Sequence, residues 1–129
     1  MKCYIAMLLV VVIILTGCTS AKLTSSKNDY MNISAQEAKK IMDTQEGYLI
    51  LDVRTQKEYD EGHIPGAVLI PDDEIRERAH KQLPDKDQLI LVYCRSGRRS
   101  KLAAEALVEM GYTNIWEFGG ILDWPYETE

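Results

Sequence analysis

Two rhythms of apolar and polar residues run along the chain. Short apolar runs at 48–53, 67–70, 89–93 and 115–118 predict strands buried on both faces of a parallel sheet. Between them, apolar residues recur at helical spacing. Ser34 and Glu37 form a capping box with Ile33 at the staple position, which predicts a helix over 35–44 that Gly47 stops. Thr55 and Glu58 make a second box. The turn formers Gly62, His63, Ile64, Pro65 and Gly66 lead into the strand at 67–70, and Pro71 ends it. Asp72, Asp73 and Glu74 then open a helix to about residue 81, with Arg76, Arg78 and Lys81 towards its end, an order that suits the helix dipole. After the run at 89–93, Ser100 is expected to cap a helix carrying Leu102, Ala103, Ala106, Leu107 and Met110 on one face, closed by Gly111. Gly119 and Gly120 begin a short terminal element ending near Trp124 and Pro125. Strands alternate with helices and no internal repeat is visible, so the pattern predicts an α/β layered fold with a largely parallel sheet.

The first residues break both rhythms. Lys2 precedes an apolar run over 5–15, too short for the roughly 20 residues of a membrane-spanning helix and suited to a secretory leader, an uncleaved anchor being the other reading. Leu15-Thr16-Gly17-Cys18 resembles the bacterial lipobox, whose cysteine is lipidated and becomes the first residue after cleavage. The expected organisation is a signal peptide over 1–17, a polar, serine-rich tether over 18–32, and one domain over 33–129. Lipid on Cys18 would hold that domain to the extracytoplasmic face of a bacterial membrane, periplasmic or at the cell surface.

Charge and cysteines narrow the chemistry. A net charge of −5, more negative once Lys2 leaves, gives no general attraction for nucleic acid, so any anion binding is local. Of the three cysteines, Cys3 leaves with the leader and Cys18 is consumed by lipid, so Cys94 stays as a free thiol. His63 and His80 have no cysteine at ligand spacing, and neither a zinc site nor a cofactor is expected. His80 reads as surface.

Cys94-Arg95-Ser96-Gly97-Arg98-Arg99-Ser100 sits between a buried strand and a helix start, where ligands bind in open α/β sheets. Helix N-termini and cations favour the thiolate form of a cysteine, and this loop supplies both. Gly97 lets the backbone curl so that successive amides can form an anion-holding nest around the sulfur. A buried, inert cysteine and solvated arginines are the plainer alternative, against which stands the crowding of glycine and arginines around one thiol.

The loop CRSGRRS resembles the active-site loop of rhodanese-type sulfurtransferases. Two further stretches agree with that family: LDVRTQKEYDEGHIPGAVLIP over 51–71 and IWEFGGILDWPYE over 115–127. The resemblance implies a three-layer fold with about five mainly parallel strands and helices on both faces. It also implies a ping-pong cycle in which Cys94 takes sulfane sulfur from an anionic donor such as thiosulfate and yields it to cyanide or a thiol. Amides from Arg95 to Ser100 would hold the persulfide, with Arg95 and Arg98 facing the donor and Arg99 completing the site. Asp52, Arg54, Glu58 and His63 match the first stretch and are expected to be scaffold, and Trp124 to pack. A cysteine-dependent phosphatase is the runner-up, but such loops place arginine six positions after the cysteine, where this chain has Ser100. A non-catalytic, membrane-tethered binding module is the third reading, which a complete loop disfavours. One small tethered domain is expected to act as a monomer.

Overall fold

The computed structural model describes residues 29–129. The leader, Cys18 and the tether up to residue 28 lie outside the described residues. The elements are β1 (Met31–Asn32), α1 (Ala35–Thr44), β2 (Leu49–Asp52), α2 (Gln56–Glu61), β3 (Val68–Leu69), α3 (Ile75–Gln82), β4 (Ile90–Cys94), α4 (Arg98–Glu109) and β5 (Ile115–Gly120), with single 3-10 turns at Asp72–Glu74 and Ile121–Asp123. The five strands form one sheet in the order β1-β5-β4-β2-β3, and every pairing is parallel. Both capping boxes form as expected, Ser34 with Glu37 and Thr55 with Glu58.

β4 shows how the sheet organises two cores. Ile90, Val92 and Cys94 face α3 and α4, where they join Ala79, Ala103 and Leu107, while Leu91 and Tyr93 face the side covered by α1 with Ala38, Ile41 and Phe118. Alternation along one strand thus fills both layers. It also delivers Cys94, at the strand's end, to the α4 side.

Three boundaries differ from expectation. The tether does not reach residue 32: Met31 and Asn32 pair with Trp116 and Glu117, and the Ile33 amide donates to the Glu117 carbonyl at 2.9 Å. The polar make-up of this segment conceals a strand whose work is to cover the open edge of β5. The helix expected from residue 72 begins as a 3-10 turn and is α-helical only from Ile75. Ser100 is not a cap: α4 starts at Arg98 behind Gly97, and the inward face is Ser100, Ala103, Ala104 and Leu107, leaving Leu102 half-exposed.

Candidate active site

Three residues join β4 to α4. Gly97 turns the chain at φ 104°, a left-handed conformation that favours glycine, and no side chain caps the helix. Instead the Gly97 N–H donates to Cys94 Sγ at 3.0 Å, so sulfur occupies the acceptor position at the helix entry. The first turn of α4 has no acidic residue and carries Arg98 and Arg99. Cations at the positive end of a helix oppose the usual preference. They produce a local surplus of positive charge on an acidic chain, beside one sulfur.

Cys94 itself is 1% exposed, less open than its loop suggests. Of the expected ring of amides from Arg95 to Ser100, Gly97 meets the sulfur in the resting thiol. The Cys94 thiol in turn donates to Ser100 Oγ at 3.4 Å. Along the loop, Arg95, Ser96 and Arg98 are exposed whereas Gly97 and Ser100 are buried. Arg95 also lines an open cavity of 310 Å³ with Arg54, Leu122 and Gly62.

Arg99 is engaged elsewhere. Its guanidinium binds Glu58 on α2 through two hydrogen bonds of 2.7 and 2.8 Å, which ties the helix behind the sulfur to the stretch after β2. That guanidinium holds the Glu58 carboxyl down at about 2, with the Thr55 amide and hydroxyl helping against burial. A carboxyl lowered by folding adds stability above its unfolded value and loses it as pH falls through the folded one. Glu58→Gln should therefore cost about 1–3 kcal/mol at neutral pH. The difference from the unsubstituted protein should vanish between the ordinary carboxyl value of 4.5 and about 2, as urea unfolding at stepped pH would register. A difference independent of pH would exclude the ion pair as its cause.

Asp52 and Arg54 are scaffold of another kind. Asp52, fully buried, binds the Arg54 guanidinium at 2.7 Å and accepts the Tyr93 hydroxyl at 2.6 Å, while Tyr93 accepts the Ile64 amide at 3.1 Å and Arg54 donates to the Gly62 carbonyl at 2.7 Å. The turn at 62–64 is thereby fastened to β2 and β4. Burial, and then the bond to Asp52, push the Tyr93 hydroxyl far above the ordinary phenol range. His63 stacks on Tyr59 with ring centres 3.7 Å apart, and His80 is exposed. Trp124 packs between Phe118 and Tyr126 and lines a cavity of 740 Å³ on the α1 side of the sheet, away from the face that carries Cys94.

The C-terminal stretch supports the loop from beneath. β5 gains one residue relative to β4 between the pairs Val92–Glu117 and Cys94–Gly120, and Gly119 takes φ 87° in this bulge. Bulges of this kind re-aim side chains beside active sites. Gly120 lies so close to the loop that a Cβ there would stand 2.0 Å from the Arg95 carbonyl oxygen. The Leu122 amide donates to that same oxygen at 3.2 Å.

Glu117 is the residue sequence reasoning missed. It is fully buried at the bulge, and its carboxylate accepts Ser100 Oγ–H at 2.6 Å, the Gly119 amide at 2.8 Å and the Asn32 side-chain amide. The available signal was a carboxylate inside an apolar strand, which needs partners when buried.

The family model of the rhodanese-like domain matches residues 34–126. The thiosulfate sulfurtransferase PspE of Escherichia coli is 44% identical over 73 residues, covering 57% of this chain and 70% of that protein. A sulfurtransferase of Allochromatium vinosum is 38% identical over 88 residues, covering 67% and 79%. A solved structure described as rhodanese with anions from E. coli superposes with a TM-score of 0.60 at 39% identity, covering 64% of this chain and 96% of that one. Of several longer relatives the chain spans about half or less.

Proposed function

The chain belongs to the rhodanese-like domain family, and from that premise we propose that it is a sulfurtransferase that carries sulfane sulfur on Cys94. The carrying observation is the sulfur at a helix entry, held by the Gly97 amide beside a first turn that bears arginines and no acid. Such a setting stabilises negative charge, first on the thiolate and then on a persulfide. In the first half-reaction the Cys94 thiolate attacks the outer sulfur of thiosulfate. A sulfur–sulfur bond forms, the donor's own sulfur–sulfur bond breaks, and sulfite leaves with the electron pair. In the second, cyanide or a thiolate attacks the outer persulfide sulfur, taking it away as thiocyanate or a new persulfide and returning the Cys94 thiolate.

Arg95 and Arg98, exposed on the loop, would attract the anionic donor. Ser96, Gly97 and Ser100 would line the sulfur, and Arg99 would act through the loop's shape because Glu58 holds it. Around this domain we place a lipid on Cys18 that moors the protein, as a monomer, to the outer face of a bacterial cytoplasmic membrane or to an outer membrane, after removal of residues 1–17.

Mass spectrometry of the native protein tests both parts. Thiosulfate should add the mass of one sulfur to the peptide containing Cys94, and cyanide should remove it as thiocyanate. The N-terminal peptide should begin at a diacylglyceryl Cys18. Phosphate release from an aryl phosphate without sulfur uptake would favour the phosphatase reading, and an unmodified peptide upstream of Cys18 would remove the anchor.

A further inference from the structure

Two successive hydrogen bonds link three groups on the α4 side of the sheet. The Cys94 thiol donates to Ser100 Oγ at 3.4 Å, and the Ser100 hydroxyl stands 2.6 Å from Glu117 Oε1. Backbone carbonyls of Gly97 and Gly119 are also within reach of that hydroxyl, at 3.0 and 3.3 Å. One hydroxyl has one proton to give, and the shortest contact is to the carboxylate. All three residues are buried, at 1% for Cys94 and 0% for Ser100 and Glu117.

Glu117 is under two opposed demands. Three donors point at its oxygens, which suits an ionised carboxylate. Yet among the described residues no lysine or arginine pairs with it, and a buried charge without a counter-ion is costly. That carboxylate ends a path of two hydrogen bonds that begins at the Cys94 thiol. Among the described residues, the polar and titratable groups that meet it come from three elements: Ser100 from α4, Cys94 beyond it on β4, and from β1 and its approach Asn32 and Tyr30, whose hydroxyl is raised by burial first and then by the charges of Glu105 and Glu117. Arg99, which feels the charge of Cys94, is held by Glu58.

We propose that Glu117 is a positioning residue that takes up the Cys94 thiol proton through the Ser100 hydroxyl. It rests on the reading of Cys94 as the nucleophile. The thiol proton passes to Ser100 Oγ while the Ser100 proton passes to Glu117 Oε1, so no net charge enters or leaves the buried site. The resulting thiolate has the Ser100 hydroxyl and the Gly97 amide both directed at it. It attacks the outer sulfur of the donor, sulfite departs with the electron pair, and the proton waits on Glu117. When the acceptor has removed the persulfide sulfur, the proton returns by the same path and the thiol is restored. This gives a protein with no histidine at its sulfur a place to keep the proton.

The test is the pH profile of Cys94 reactivity in the native protein, read in parallel with iodoacetamide and with thiosulfate between about pH 5 and about pH 10. Two groups that share one proton titrate as a pair, so the rate should rise in two steps separated by a plateau. Glu117→Gln should leave one step, with a rate on the former plateau lower by about tenfold or more and convergence with the unsubstituted protein at the alkaline end. Ser100→Ala, which cuts the path but keeps the carboxyl, should give the same single step. If Glu117→Gln does not fold, the native profile and Ser100→Ala decide. A single step in the native protein, an equal loss at every pH in Glu117→Gln, or a thiol inert to both reagents would overturn the relay. Sulfur uptake with a single step sinks the relay and leaves the sulfurtransferase reading standing, whereas two-step alkylation without sulfur uptake does the reverse.

Discussion

Cys94→Ser is expected to end sulfur uptake, with a fall of at least about a thousandfold in the rate of thiocyanate formation, in a protein that still folds. The substitution keeps the shape of the site. A serine oxygen can accept the Gly97 N–H that now reaches Sγ at 3.0 Å and can lie beside the Ser100 hydroxyl. Its cost lies in placing a hydroxyl among Val92, Ala103 and Leu107, about 1–2 kcal/mol, because a buried hydroxyl demands partners and here has some. The chemical loss is of another order. A serine hydroxyl does not ionise near neutral pH, and no histidine lies in the loop to deprotonate it. Nor would an oxygen–sulfur adduct replace the persulfide as a carrier. Urea unfolding together with the mass of the tryptic peptide separates the two effects. Continued thiocyanate production by Cys94→Ser would remove Cys94 from the reaction, whatever the stability of the variant.

Much of this arrangement is legible in the sequence. Short apolar runs mark four of the five strands, and two capping boxes mark the starts of α1 and α2, since both signals depend on residues close together in the chain. The misread features depend on partners far away. Ser100 looked like a helix cap because serine usually is one, but here the acceptor at the helix entry is the Cys94 sulfur and Ser100 turns inward to Glu117. Met31 and Asn32 looked like tether because only the open edge of β5 makes a strand of them. Arg99 looked like a ligand for anions because Glu58, which holds it, lies 41 residues earlier. Glu117 breaks an apolar strand with a buried carboxylate. Its meaning comes from the bulge beside it, which no local pattern announces.

The same bulge makes Gly120→Ala the second severe substitution. A Cβ at that position would meet the Arg95 carbonyl oxygen at 2.0 Å, its carbon at 2.3 Å and the Ser96 nitrogen at 2.5 Å, all of them backbone. No rotamer change can relieve such contacts, so either β5 withdraws from β4 or the loop lifts from its seat. The first route costs about 2–4 kcal/mol by analogy with other overpacked sites. The second carries the Gly97 amide away from the sulfur, and misplacement by about 1 Å suffices for a hundredfold loss of rate. Gly119→Ala supplies the contrast, because a Cβ there meets nothing within 4 Å and the substitution carries only the strain of φ 87°, about 1–3 kcal/mol. Both variants should be destabilised, but Gly120→Ala alone should lose sulfur uptake per folded molecule, measured by titrating active thiol against the folded fraction. Equal retention of uptake in the two would mean that close approach of β5 does not set the loop's shape, and the paired glycines would then serve the bulge alone.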